Sequence, residues 1–295
     1  WSSDVCSSDL AVNNGGMNKA SSVVVHEDGS FTLGAGSDVI NTGTVSTSNE
    51  AGDAGQVVVL GNNVTNSGEI HADATAGTAG SIELHSTDTT SLEQHAQVTA
   101  KTSTQGVGGD VKVLGNKVGL FDTAEINASG ANGGGQVLVG GDQTGSNIKI
   151  SNADFIYLGE NTNVKADGLV NGDGGKLITF ASDTARIYGN LSARGGSESG
   201  NGGFIETSGL KGFEIVKAPD VSASAGYAGT WLIDPYDIEI TNPKPNENRL
   251  DRHDNKNITT DETGANPKNT AYTSNDNSAE LDVFILEAAL ERNAT

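Results

Sequence analysis

The chain has 295 residues, 40 of them Gly and 5 Pro, and its 38 Asp plus Glu against 17 Lys plus Arg leave a formal charge of −21. Glycine without a three-residue period excludes collagen, and a surface this acidic repels phosphate backbones and anionic lipid, which excludes nucleic-acid and polybasic membrane roles. No apolar run reaches the ~18 residues of a membrane span, and no charged, apolar and small-residue succession marks a secretory signal.

Residues 1–10 read WSSDVCSSDL. The DNA string TGG AGT TCA GAC GTG TGC TCT TCC GAT CT, a common short-read sequencing adapter, translates to them codon by codon, so these ten residues are expected to be non-native. Cys6, the only cysteine, belongs to that segment. The rest of the chain then has neither a disulfide nor a thiolate metal site. Thr295 follows a helix-like stretch without a closing signal, and the chain reads as an internal fragment.

A repeat organises residues 55–240. A Gly precedes a short apolar strand at Gly55, Gly80, Gly109, Gly135, Gly175, Gly203 and Gly229, at intervals of 25, 29, 26, 40, 28 and 26 residues. Two places after each Gly stand Val57, Ile82, Val111, Val137, Leu177, Ile205 and Trp231, all apolar. The alternate places carry Glu83, Asp110, Lys112, Gln136, Lys176 and Glu206 among some apolar exceptions, the period-two pattern of a strand with one buried face and its charges turned outward. A second strand recurs as an apolar residue, a spacer and Ala: Ile70-His71-Ala72, Val98-Thr99-Ala100, Ile126-Asn127-Ala128, Val164-Lys165-Ala166, Leu191-Ser192-Ala193 and Val221-Ser222-Ala223. A third apolar piece lies between them, clearest at residues 118–121, 155–158, 185–188 and 213–216.

Three short strands per ~26 residues predict an all-β fold, a right-handed three-sided parallel β-helix, because each coil buries its apolar side only against its neighbours. About eight coils at ~4.8 Å each make a rod near 40 Å long. An antiparallel β-sandwich also has many short strands, but it predicts neither in-phase Gly nor a repeated Ala strand. The interval of 40 residues places an insertion at residues 140–152.

All five prolines stand at Pro219 or later, since a ladder needs the N–H that Pro lacks. Residues 241–279, with Leu250, Ile258 and Tyr272 as their only large apolar residues, read as a polar surface loop or linker. In residues 280–295, Leu281, Phe284, Ile285, Ala288 and Ala289 follow helical spacing, with Asn277 or Ser278 as the cap. That short C-terminal helix is expected to cover an open side or end of the stack.

The search for chemistry returns mostly negatives. Parallel β-helices include glycan hydrolases and lyases, but the DD pair and GHG turn of galacturonase-type sites are missing, and Glu83 and Asp110 read as solvated strand positions. No Gly-Gly pair continues into a GGxGxD calcium turn, and positive φ accounts for Gly172-Asp173-Gly174. Gly175-Lys176-Leu177 lacks the Ser or Thr of a phosphate loop. His26, His71, His85, His95 and His253 show no ligand spacing, and no GxSxG elbow occurs. No catalytic residue, cofactor or metal site is therefore expected. Sequons begin at Asn63, Asn127, Asn190, Asn257 and Asn293, a number that chance explains in an Asn- and Thr-rich chain. Trp231, at an inward place, reads as a plug of the last regular coil.

The ordered pieces Gly133-Gly134-Gly135-Gln136-Val137-Leu138-Val139-Gly140-Gly141-Asp142, Leu191-Ser192-Ala193-Arg194-Gly195-Gly196, Gly202-Gly203-Phe204-Ile205-Glu206-Thr207-Ser208-Gly209 and Ala228-Gly229-Thr230-Trp231-Leu232-Ile233-Asp234-Pro235-Tyr236 resemble filamentous-haemagglutinin-like exoproteins of two-partner secretion systems. The resemblance implies a secreted or cell-surface fibre of a Gram-negative bacterium, carried unfolded across the outer membrane by a dedicated β-barrel transporter and folded outside. This chain would be a shaft segment of an adhesin or haemagglutinin, structural and adhesive rather than enzymatic. Its implied partners are that transporter and a receptor or glycan on a host or neighbouring cell, and no nucleic acid. The family's NPN-containing motifs do not occur in the chain, so the resemblance leaves transporter recognition to a domain outside it. Residues 11–54 read as early coils or the tail of that secretion domain. A haem-acquisition exoprotein or a contact-dependent toxin stalk shares such a shaft, and a β-helical polysaccharide lyase or hydrolase is the catalytic alternative. Residues 140–152 and 241–279 are the exposed candidates for receptor contact, with no individual residue assigned.

Overall fold

The computed structural model describes residues 17–19, 22–25, 31–34, 38–236, 238–241 and 280–292. Residues 1–10 and 242–279, and with them the adapter-like segment and nearly all of the expected polar loop, lie outside the described residues.

The repeat folds as a parallel β-solenoid of about seven turns that ends in one short helix. Each coil contributes three runs, and each run pairs with its equivalent one coil on. The first stack passes from Phe31–Gly34 through Asp110–Leu114 and Gln136–Val139 to Thr230–Leu232. The second passes from Val39–Asn41 through Lys117–Leu120 and Ala153–Leu158 to Gly212–Ile215. The third, from Thr44–Ser46 to Asn190–Ser192, holds five of the six expected apolar-spacer-Ala pieces; Val221-Ser222-Ala223 forms no strand, and the stack ends in a single bridge from Ser192 to Asp220. Before Phe31 the pairing is antiparallel, Ser22–Val25 with Phe31–Gly34 and Met17–Lys19 with Val39–Asn41, so parallel coiling begins there. The first stack has a last rung that the second lacks, and the chain leaves after it through Pro235. About seven turns therefore stand where eight coils were expected.

Register explains the repeat. Val57, Ile82, Val111, Val137, Leu177, Ile205 and Trp231 lie one above another, and all but Trp231 are buried. A fully buried Ile126, between Val98 and Val164 in the third stack, contributes about 2 kcal/mol by leaving water. The in-phase glycines answer a steric demand. A Cβ on Gly80, Gly109, Gly135, Gly175, Gly203 or Gly229 would overlap the carbonyl oxygen of the preceding Gly in the series. The N–H groups of Gly109, Gly135 and Gly203 donate to Ala100, Ala128 and Ala193 at 2.8, 2.8 and 2.7 Å. Gly and Ala are thus the two sides of one corner, and a larger residue on either side would part the coils.

The helix starts later than its spacing predicts. Glu280–Asp282 is a strand parallel to Glu239–Thr241, and the helix is Val283–Arg292. Asp282 accepts the Phe284 N–H at 2.9 Å and caps the first turn, a role expected of Asn277 or Ser278, which lie outside the described residues. Leu281 is buried from the strand, and Ile285 and Ala289 join the main core beside Trp231 and Ile233, while Phe284 is exposed. The apolar spacing marked a covering element correctly, but its first residue is β because a neighbouring strand supplies a ladder.

Candidate functional surface

The outward side of the first stack changes character from coil to coil. Val58, Glu83 and Lys112 are half-buried, whereas Leu138, Ile178 and Glu206, next in the same column, are buried. The cause is the insertion at residues 140–152, which folds back over this face. Leu138, Ile178 and Phe180 form an outer apolar cluster with Phe204 and Leu210, and the Gly145 backbone sits so close to the Phe180 ring that a Cβ there would strike it.

Polar anchors hold the insertion. Asp142 accepts the Gln143 N–H at 2.7 Å, Asn147 Nδ2 at 2.8 Å and Lys176 Nζ at 3.1 Å. Burial pushes its pKa up, but those bonds outweigh burial and hold the carboxylate below its usual range. Glu206 corrects an expectation: it does face away from the coil interior, yet it is fully buried. The Thr144 N–H donates to both its oxygens at 3.1 Å, and Ser208 Oγ donates to Oε1 at 2.9 Å. Burial raises its pKa; Ser208 and Thr144 oppose the rise, and nearby Asp234 adds to it. Thr144 itself has φ of 54°, a conformation uncommon for a non-Gly residue and held here by the Glu206 anchor.

At the other edge Ser151 Oγ lies 3.2 Å from His85 Nε2. His85 Nδ1 is 3.7 Å from Glu83 Oε1, and Lys112 Nζ is 3.4 Å from Glu83 Oε2. The neighbouring His85 imidazole holds Glu83 below its ordinary range, with burial opposing and Lys112 assisting. Glu83 is thus part of a charged cluster rather than a solvated strand position, while Asp110 stays exposed. Spacing carries no signal for this meeting, because Ser151 reaches His85 only when the insertion folds back across two rungs.

The remaining candidates are structural. Lys176, in the sequence resembling a phosphate loop, is the ion-pair partner of Asp142. Gly172 has φ of 93°. Trp231 Nε1 donates to Thr207 Oγ1 at 2.9 Å and its ring packs on the core. Among the described residues no group of three His, Cys, Asp or Glu side chains is placed to hold a metal ion, and no helix is long and apolar enough to cross a membrane.

These features define a class of protein, a parallel β-solenoid with a side insertion docked on one face and a helix over one end. No family model and no curated protein matches the chain. Among solved structures, it is similar to the crystal structure of the HMW1 secretion domain from Haemophilus influenzae, with a TM-score of 0.53 and 28% identity. The likeness covers 67% of this chain and 49% of that one, so the chain spans about half the length of that structure. It falls on a secretion domain, whereas the motif reading placed the chain in the shaft beyond one.

Proposed function

We propose that this chain is a β-solenoid segment of an exoprotein exported by two-partner secretion, contributing to its secretion domain and to the base of the fibre that follows. The similarity to the HMW1 secretion domain, 28% identical over 67% of the chain, carries the reading. An outer-membrane β-barrel transporter is the partner in export, and the product is secreted or held on the surface of a Gram-negative cell. Its role there is structural and adhesive, the fibre presenting a receptor- or glycan-binding region, and neither export nor adhesion needs catalysis.

The fold suits that route. A chain without cysteine after Cys6 meets no cross-link before passage. Each new coil finds its hydrogen-bond acceptors and its apolar column on the coil already formed, so folding propagates along the stack outside the membrane.

The test is to express the reading frame that contains this chain in a Gram-negative host, with and without its outer-membrane transporter, and to follow residues 38–236 with an antibody. Transporter-dependent appearance of a protease-resistant product outside the cell is expected. A folded product retained inside the cell with the transporter present would overturn the reading.

A further inference from the structure

We infer that Ser151, His85 and Glu83 form a hydrolytic acyl-transfer site on the open side of the solenoid, acting on acyl esters. The inference rests on their geometry alone and adds a local chemistry to a module whose export role needs none.

All three histidines whose side chains are described meet a hydroxyl from another coil. For two of them the hydroxyl proton is committed elsewhere: Thr99 Oγ1, 2.7 Å from His71 Nδ1, donates to Asp73 Oδ2 at 2.9 Å, and Thr123, beside His95, donates to the Gln94 carbonyl at 3.3 Å. Ser151 differs, because its partner is His85 Nε2 at 3.2 Å. In the tautomer that carries its proton on Nδ1, His85 accepts the Ser151 hydroxyl at Nε2 and turns its N–H toward Glu83 Oε1, 3.7 Å away. Hydroxyl to Nε2 and carboxylate to Nδ1 is the order in which a serine nucleophile, a base and an orienting acid are recognised, on whatever fold they occur. Glu83 is held ionised by its neighbours, among them Lys112 on the next rung, whose Nζ lies 3.4 Å from Oε2. Ser151 is exposed, so an ester on an extended polymer can reach it without entering a pocket.

The step balances as follows. Ser151 Oγ attacks the acyl carbon while its proton passes to His85 Nε2, and Glu83 stabilises the imidazolium. The ester C–O bond breaks, and the leaving alkoxide takes the proton from Nε2. Water, deprotonated by His85, then hydrolyses the Ser151 ester, releasing the carboxylic acid and restoring the hydroxyl. Ser151 and His85 are the catalytic residues, and Glu83 is a positioning residue acting through His85.

The experiment treats the full chain with a fluorophosphonate probe, maps adducts by peptide mass spectrometry, and measures hydrolysis of p-nitrophenyl acetate. Labelling of Ser151 is expected to be at least ~100-fold faster than labelling of Ser146, an exposed serine of the same insertion, and His85→Gln should remove that advantage. Glu83→Gln should slow labelling and Glu83→Asp should restore most of the rate, because a carboxylate facing His85 stabilises the imidazolium formed in the step. The Ser151-to-Ser146 comparison is made within one folded molecule, so it does not depend on a variant folding. Labelling of Ser151 no faster than Ser146, or unchanged by His85→Gln, would overturn the proposal and leave the contact as a fastening of the insertion.

Discussion

The early and late rungs of one column show what covers a β-solenoid and what does not. Val58, Glu83 and Lys112 face solvent in part and obey the simple alternation of a strand with one wet side. Leu138, Ile178 and Glu206 continue that column in register, yet they are buried beneath the insertion. Strand geometry is the same in both regions. Only the chain lying on top differs, so the side of a coil that a repeat leaves outward becomes core or surface according to a segment that does not repeat.

The largest effect should come from the part the two regions share. Gly135→Val puts a side chain into the carbonyl of Gly109, and a loss of more than about 4 kcal/mol, or failure to fold, is expected in urea unfolding. A mild loss would show that neighbouring coils part without cost. Phe180→Ala acts on the late region alone. Emptying the outer cluster should destabilise by about 3 kcal/mol and speed tryptic cleavage after Lys149, the exposed lysine of the insertion, while cleavage after Lys117 on the early side stays unchanged.

Two carboxylates then sharpen the contrast through pH. Burial raises the Glu206 pKa in the fold, so the folded state binds its proton more tightly than the unfolded chain, and stability falls as pH rises from the ordinary carboxylate value through the folded one. Glu206→Gln should be the more stable protein at neutral pH, with the difference closing in acid; thermal melts from pH 4 to pH 8 decide it. Asp142 has the opposite sign. Its pKa is lowered in the fold, so its contribution is present above the ordinary carboxylate value and is lost as pH falls through the folded one. Asp142→Asn should cost less than about 1 kcal/mol at neutral pH, because the Lys176 pair is partly solvated, and nothing in strong acid.

The inner architecture was legible because each of its demands falls on a residue type at a fixed place. Only Gly fits where one coil's backbone crosses the carbonyl below, only a small residue fits beside it, and the inward +2 place must be apolar. The outer site was not legible by the same means. Glu206 and Glu83 look alike as acids on alternate strand positions, and nothing nearby in sequence says that Thr144 will donate to one and that His85, itself touched by Ser151, will face the other. Leu138, Ile178 and Phe180 are apolar residues at outward places, and that is the signal that could have announced a covering segment.

From the sequence alone came the parallel coil, its register and its corners, since period, steric fit and apolar alternation act between residues one coil apart and recur in every repeat. The tertiary structure decided where the insertion lies, which acid is buried, where the last helix begins and which serine meets a histidine. Those depend on single contacts between segments up to 66 residues apart, and a contact made once leaves no period to read.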